Sequence, residues 1–142
     1  MSSTPDVDFS QIRGDWTFHM NYLTNAISQT VSRQQRMLGD AGPVSDELKA
    51  LVAKQGELWA ALTGAADAKG VIPLDADSPL QVFIETSRAT KGPCDAFEEA
   101  NGLGGSTNFT DAPGEHFTEA CRQIRALCDD LEMMREQRPA DQ

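Results

Sequence analysis

Apolar side chains recur at steps of three and four residues over most of this chain. That period constrains the fold more than any other feature. From Phe9 the series runs Ile12, Trp16, Met20, Leu23, Ile27, Val31 and, after a gap occupied by Gln34 and Gln35, Leu38. Residues so spaced share one face of an α-helix, whereas a half-buried strand would alternate every second residue. Asp8 and Ser10 are candidate caps. Gly14, which inside a helix costs about 1 kcal/mol relative to Ala, moves the expected start towards Asp15. The stretch Gly39 to Pro43 ends the helix, because glycine accepts a left-handed cap and proline cannot continue it.

Two further long helices follow from the same period. Ser45 is a good N-cap, with Asp46 and Glu47 complementing the dipole behind it. Leu48, Leu51, Val52, Gln55, Leu58, Trp59 and Leu62 then form a stripe that Gly64 or Gly70 ends. The short turn before it predicts an antiparallel hairpin with the first helix. Near the C-terminus, Thr110 or Asp111 and Pro113 open a helix with Phe117, Ala120, Ile124, Leu127, Leu131 and Met134 as a seam. The seam holds for about two and a half heptads, short of a firm coiled coil.

The middle is irregular. Val71 to Leu74 reads as buried, and Pro73 excludes a central strand. Ser78 and Pro79 suit the cap and first position of a short helix carrying Leu80, Phe83 and Ile84 inward. Lys91-Gly92-Pro93 is expected to break it, with one or two more turns between Cys94 and Gly105. Residues 102–114 read as a loop. The expected fold is all-α: a bundle of three long amphipathic helices with one or two short helices packed across them. One helical domain over 1–138 and a frayed tail over 139–142 are expected.

Composition narrows function. The net charge is −10, which argues against gripping nucleic acid phosphates or anionic lipid, since both need clustered Lys and Arg. It permits docking on a basic protein surface. No apolar run approaches the roughly 18 residues of a membrane span. The first residues lack the basic and apolar regions of a signal peptide. A cytoplasmic location with free thiols is expected, the three cysteines forming no framework. Asn108 heads a glycosylation sequon, which has no weight without secretion.

Catalytic and metal patterns are sparse. Cys121 and Cys128, two helical turns apart, are separated by about 10 Å along the axis and cannot bridge each other. They read as core. Cys94 sits at the start of a helical turn with no basic neighbour in sequence and reads as structural. His19 and His116 have no partner at metal-ligand spacing, though Asp15 precedes His19 by four. The segment from Asp75 to Thr86 begins like a calcium loop and fails where glycine and the bidentate glutamate belong. Glu98 and Glu99 read as solvated charge. No catalytic residue, metal or cofactor is expected.

The expected function is therefore a non-enzymatic protein–protein interaction module: a small helical adaptor, chaperone or accessory subunit. Its proposed anchors are Trp16, Leu23, Trp59, Phe117, Ile124, Leu131 and Met134, with homodimerisation through the C-terminal seam as one use of them. Phe18, Tyr22 and Met37 lie off the stripe and hint at a second apolar face. One alternative is an acidic inhibitor or nucleic-acid mimic of the antitoxin, immunity or anti-defence type, docking on a basic protein. Another is a small-ligand-binding bundle with a pocket near His19, Asp15 and Tyr22. The partner is another protein with a basic or apolar surface, with neither nucleic acid nor membrane bound directly.

Overall fold

A computed structural model of the chain describes residues 15–103 and 113–139. The expected caps at Asp8, Ser10, Thr110 and Asp111, the stripe residues Phe9 and Ile12, and Asn108 lie outside them. The fold is all-α, with no strand among the described residues. The helices are α1 (Trp16–Asp40), α2 (Asp46–Gly64), α3 (Leu80–Ala89), α4 (Lys91–Ala100) and α5 (Pro113–Glu136).

Several helix ends follow from local chemistry. α1 starts immediately after Asp15, past the unfavourable Gly14. Gly42, at φ 96°, makes the left-handed turn that separates α1 from α2. The Ser45 hydroxyl accepts a hydrogen bond from the Leu48 N–H, as an N-cap should. α2 ends at Gly64. At α3 the Ser78 hydroxyl accepts from the Leu80 N–H, and Pro79 supplies a carbonyl to Phe83.

The cross-helix contacts reveal the architecture. On α1 and α2, Ser28 meets Trp59, Gln34 meets Gln55, and Gln35 meets the Val52 carbonyl. One sequence number rises as the other falls, so the expected antiparallel hairpin is present. By the same reading α2 runs antiparallel to α3 (Gln55 to Ser87, Trp59 to Phe83). α5 runs antiparallel to α1 (Trp16 to Met134, Gln34 to Cys121) and to α3 (Gln81 to Arg135, Arg88 to Asp129). α1 packs far more extensively on α5 than on its hairpin partner.

The short helices correct the expected layout. α3 does stop just before Lys91-Gly92-Pro93, at Ala89, but these three residues are themselves helical and form the first turn of α4. Proline is tolerated there because its missing N–H would have no intrahelical partner. Thr90, the one residue between α3 and α4, keeps a helical backbone, and its carbonyl accepts from the Cys94 N–H at 2.9 Å. α3 and α4 therefore lie end to end as one rod along α5 rather than across the bundle. Four rods result, each antiparallel to its neighbours, in an up-and-down bundle.

The connections are docked. Val71, Ile72 and Leu74 are buried, as their sequence suggests. The preceding turn is held by Asp67, whose carboxylate accepts the Lys69 and Val71 N–H groups at 2.8 and 3.0 Å. Those amides, Val71 first, hold its pKa below the ordinary 3.8. A depressed folded pKa means that this stabilisation is complete above about pH 4 and is lost as pH falls through the folded value. The difference in thermal midpoint between the wild type and Asp67→Ala is thus expected to hold from about pH 6 to about pH 4 and to shrink as pH falls below that. A constant difference would show that the turn does not depend on the charge. At the other end, Arg138 lies 5.6 Å over the Trp16 ring and Pro139 is buried. Residues 140–142, the rest of the tail expected to fray, lie outside the described residues.

Candidate functional site: an uncharged face of α1 and a buried polar layer

All seven expected anchors, Trp16, Leu23, Trp59, Phe117, Ile124, Leu131 and Met134, are buried in the chain's own core. The seam on α5 faces inward against α1 and the α3–α4 rod, so homodimerisation through it loses its basis. Trp16 donates its indole N–H to the Met134 carbonyl at 2.9 Å, and Trp59 donates to the Ser28 hydroxyl at 2.9 Å. The stripe also runs differently in detail. Cys121 and Cys128 are fully buried core positions, while Leu127 is half-buried. Met37, expected to be surplus, packs against a core cluster that includes Leu48, Val52, Phe97 and Phe117.

Phe18 and Tyr22 do remain outside, at 68% and 71% exposure. They belong to a continuous exposed line on α1 comprising Phe18, Tyr22, Asn25, Gln29 and Ser32. Steps of four and three place these on one face, opposite the buried stripe. From Trp16 to Ser32 there is no Asp, Glu, Lys or Arg, in a chain where those residues make up 24%. The His19 ring packs nearly perpendicular to that of Phe18, with centroids 5.6 Å apart. Aromatic enrichment and depletion of charge are also the compositional marks of an interface core.

Charge is placed elsewhere. Exposed carboxylates occur at the two ends of α1 (Asp15 and Asp40), on α2, α3, α4, α5 and the loop at Asp75 and Asp77. Several cations are already engaged: Arg88 with Asp129 and Glu132, Arg122 with Glu98 and Glu119, Lys91 with Asp95. Glu98, expected to be simply solvated, is largely covered by its pairing with Arg122. The pocket expected near His19 is not framed by its own residues, since Asp15 and Tyr22 are exposed. An open groove of about 310 Å³ lies instead between the start of α2 and α4, walled by Pro43, Glu47, Pro93 and Phe97.

The interior carries a second feature that sequence reasoning missed. Gln34, Gln55 and Ser87 are fully buried and joined, Gln34 Nε2 to Gln55 Oε1 at 2.9 Å and Gln55 Nε2 to Ser87 Oγ at 2.9 Å. Gln34 Nε2 also lies 3.3 Å from Cys121 Sγ. One side chain from each rod thus meets in a polar layer. It separates an upper apolar cluster, around Trp16, Ile27, Phe83 and Leu131, from a lower one around Leu48, Val52, Phe97 and Phe117. The signal was present in the two stripes, where glutamines fill positions at apolar spacing.

No family model, curated protein or solved structure matches this chain.

Proposed function

We propose that this chain is a non-enzymatic interaction module that docks a partner protein on the exposed face of α1. The observation that supports this reading is the charge-free line headed by Phe18 and Tyr22. Covering two large rings removes apolar surface from water without stripping the hydration shell from any charge. The matching partner surface is therefore apolar and uncharged at its centre. The surrounding acidity sets which partners approach rather than the strength of the final contact.

The test compares proteins retained from native lysate by the wild type and by Phe18→Ser/Tyr22→Ser. Washes are at about 0.15 M and about 0.5 M salt, where the Debye length falls from about 8 Å to well below it. A partner held at both salts by the wild type and lost by the variant, with thermal unfolding unchanged, is the expected result. A partner lost at high salt, or kept by the variant, would instead favour the acidic-mimic reading and its carboxylates. Absence of any ring-dependent partner sinks the proposal.

A further inference from the structure

α4 and α5 are brought together in a register that gives two cysteines a shared position. Thr90 Oγ1 accepts from the Arg125 guanidinium at 3.0 Å, and the Phe97 and Phe117 rings meet edge to face with centroids 6.1 Å apart. Between those contacts, one turn on from Thr90 along α4, stands Cys94. One turn back from Arg125 along α5 stands Cys121. Both are buried in the same lower cluster, at 2% and 0% exposure. The interior next to them is polar on one side. Gln34 places its amide nitrogen on Cys121 Sγ, while its Oε1, in a fully buried residue, has no hydrogen-bond partner. A buried amide with an unused acceptor thus stands against Cys121, so the thiols border a polar layer as well as apolar core.

We propose that Cys94 and Cys121 form a redox-active dithiol that a peroxide closes into a disulfide joining α4 to α5.

The two thiols have unequal roles. Hydrogen bonding from Cys121, then the charge of Arg125, favours the Cys94 thiolate and lowers its pKa. Cys121 is pushed strongly upward by the same contact with Cys94 and by burial, so it keeps the proton. The cation acting on Cys94 comes from α5, since Lys91, three residues before it, pairs with Asp95. In the first step the Cys94 thiolate attacks one peroxide oxygen. The O–O bond breaks, hydroxide leaves, and Cys94 becomes a sulfenic acid. In the second step the Cys121 sulfur attacks the Cys94 sulfur. The S–S bond forms, the S–O bond breaks, and water departs with the Cys121 proton. Two electrons pass from the thiols to the peroxide. Burial of Cys94 restricts the oxidant to a small molecule. Cys128, two turns from Cys121 and raised to about 11 mainly by burial, stays a thiol.

The experiment treats the folded wild-type protein with hydrogen peroxide. It then quenches, alkylates under denaturing conditions and maps peptides by mass spectrometry. The expected product is one intrachain Cys94–Cys121 link with Cys128 alone alkylated, and dithiothreitol restores all three thiols. In Cys121→Ser the intermediate is stranded, so dimedone labels Cys94; in Cys94→Ala dimedone labels neither remaining cysteine. Three alkylated cysteines after oxidation, a link to Cys128, or a link between chains would each overturn the proposal. The wild-type map decides the matter even if a variant fails to fold.

Discussion

Trp16→Ala is expected to destabilise the bundle by about 3–5 kcal/mol, the range for removing a large aromatic from a packed core. Two costs combine. The indole is 1% exposed, so its loss leaves a cavity at the end of α1. It also removes the hydrogen bond to the Met134 carbonyl. That carbonyl sits in the last turn of α5, where Arg138 N–H has turned to the Arg135 carbonyl, so Trp16 acts as a cap supplied by a neighbouring helix. Against a total stability of about 5–15 kcal/mol, the loss brings the protein towards unfolding. Phe18→Ala, two residues away and exposed, is expected to change stability by less than about 0.5 kcal/mol. Urea unfolding of the pair provides the check. Equal midpoints would mean that Trp16 is not part of the core.

Gln55→Leu is expected to cost about 2–4 kcal/mol, although it replaces a buried polar side chain with an apolar one of similar size. Gln55 uses both ends of its amide, accepting from Gln34 and donating to Ser87. Removing it strands a donor on one rod and a hydroxyl on another, each at about 1–3 kcal/mol. The double variant Gln34→Leu/Gln55→Leu strands fewer groups. It is expected to be more stable than the sum of the single variants predicts, with a coupling of about 1–3 kcal/mol. A double-mutant cycle by chemical denaturation measures this directly. Strict additivity would show that the glutamines are neighbours without being a network.

Both predictions concern features that sequence reasoning read only in part. The helical period, the Ser45 cap and the start near Asp15 were legible because each is decided within a few residues, while the end of α2, open in sequence between Gly64 and Gly70, falls at Gly64. What the period cannot say is what a face meets. The seam from Phe117 to Met134 has the spacing of a docking surface and of a core alike, and here it is core. Lys91-Gly92-Pro93 does follow the end of α3, but in a first turn proline loses no hydrogen bond, so the same residues also open α4. The opposition of Cys94 and Cys121 depends on which rods are neighbours, and no local pattern encodes it. The bare face of α1 was written in the sequence as an absence of charge. Its meaning required knowing that Phe18, Tyr22, Asn25, Gln29 and Ser32 point outward.

The polar layer also serves as an index mark for assembly. Leucine, isoleucine and methionine contacts can repack against one another at little cost, so apolar rods alone tolerate being shifted lengthwise. Sliding α2 by one turn, about 5.4 Å, would set Gln55 against an aliphatic side chain of α1 and leave its amide without partners. Only one alignment lets Gln34, Gln55 and Ser87 meet in a single plane. Any misaligned bundle is thereby penalised at its centre, and the hydrogen bonds act less as glue than as the notch that tells four similar rods where to stop.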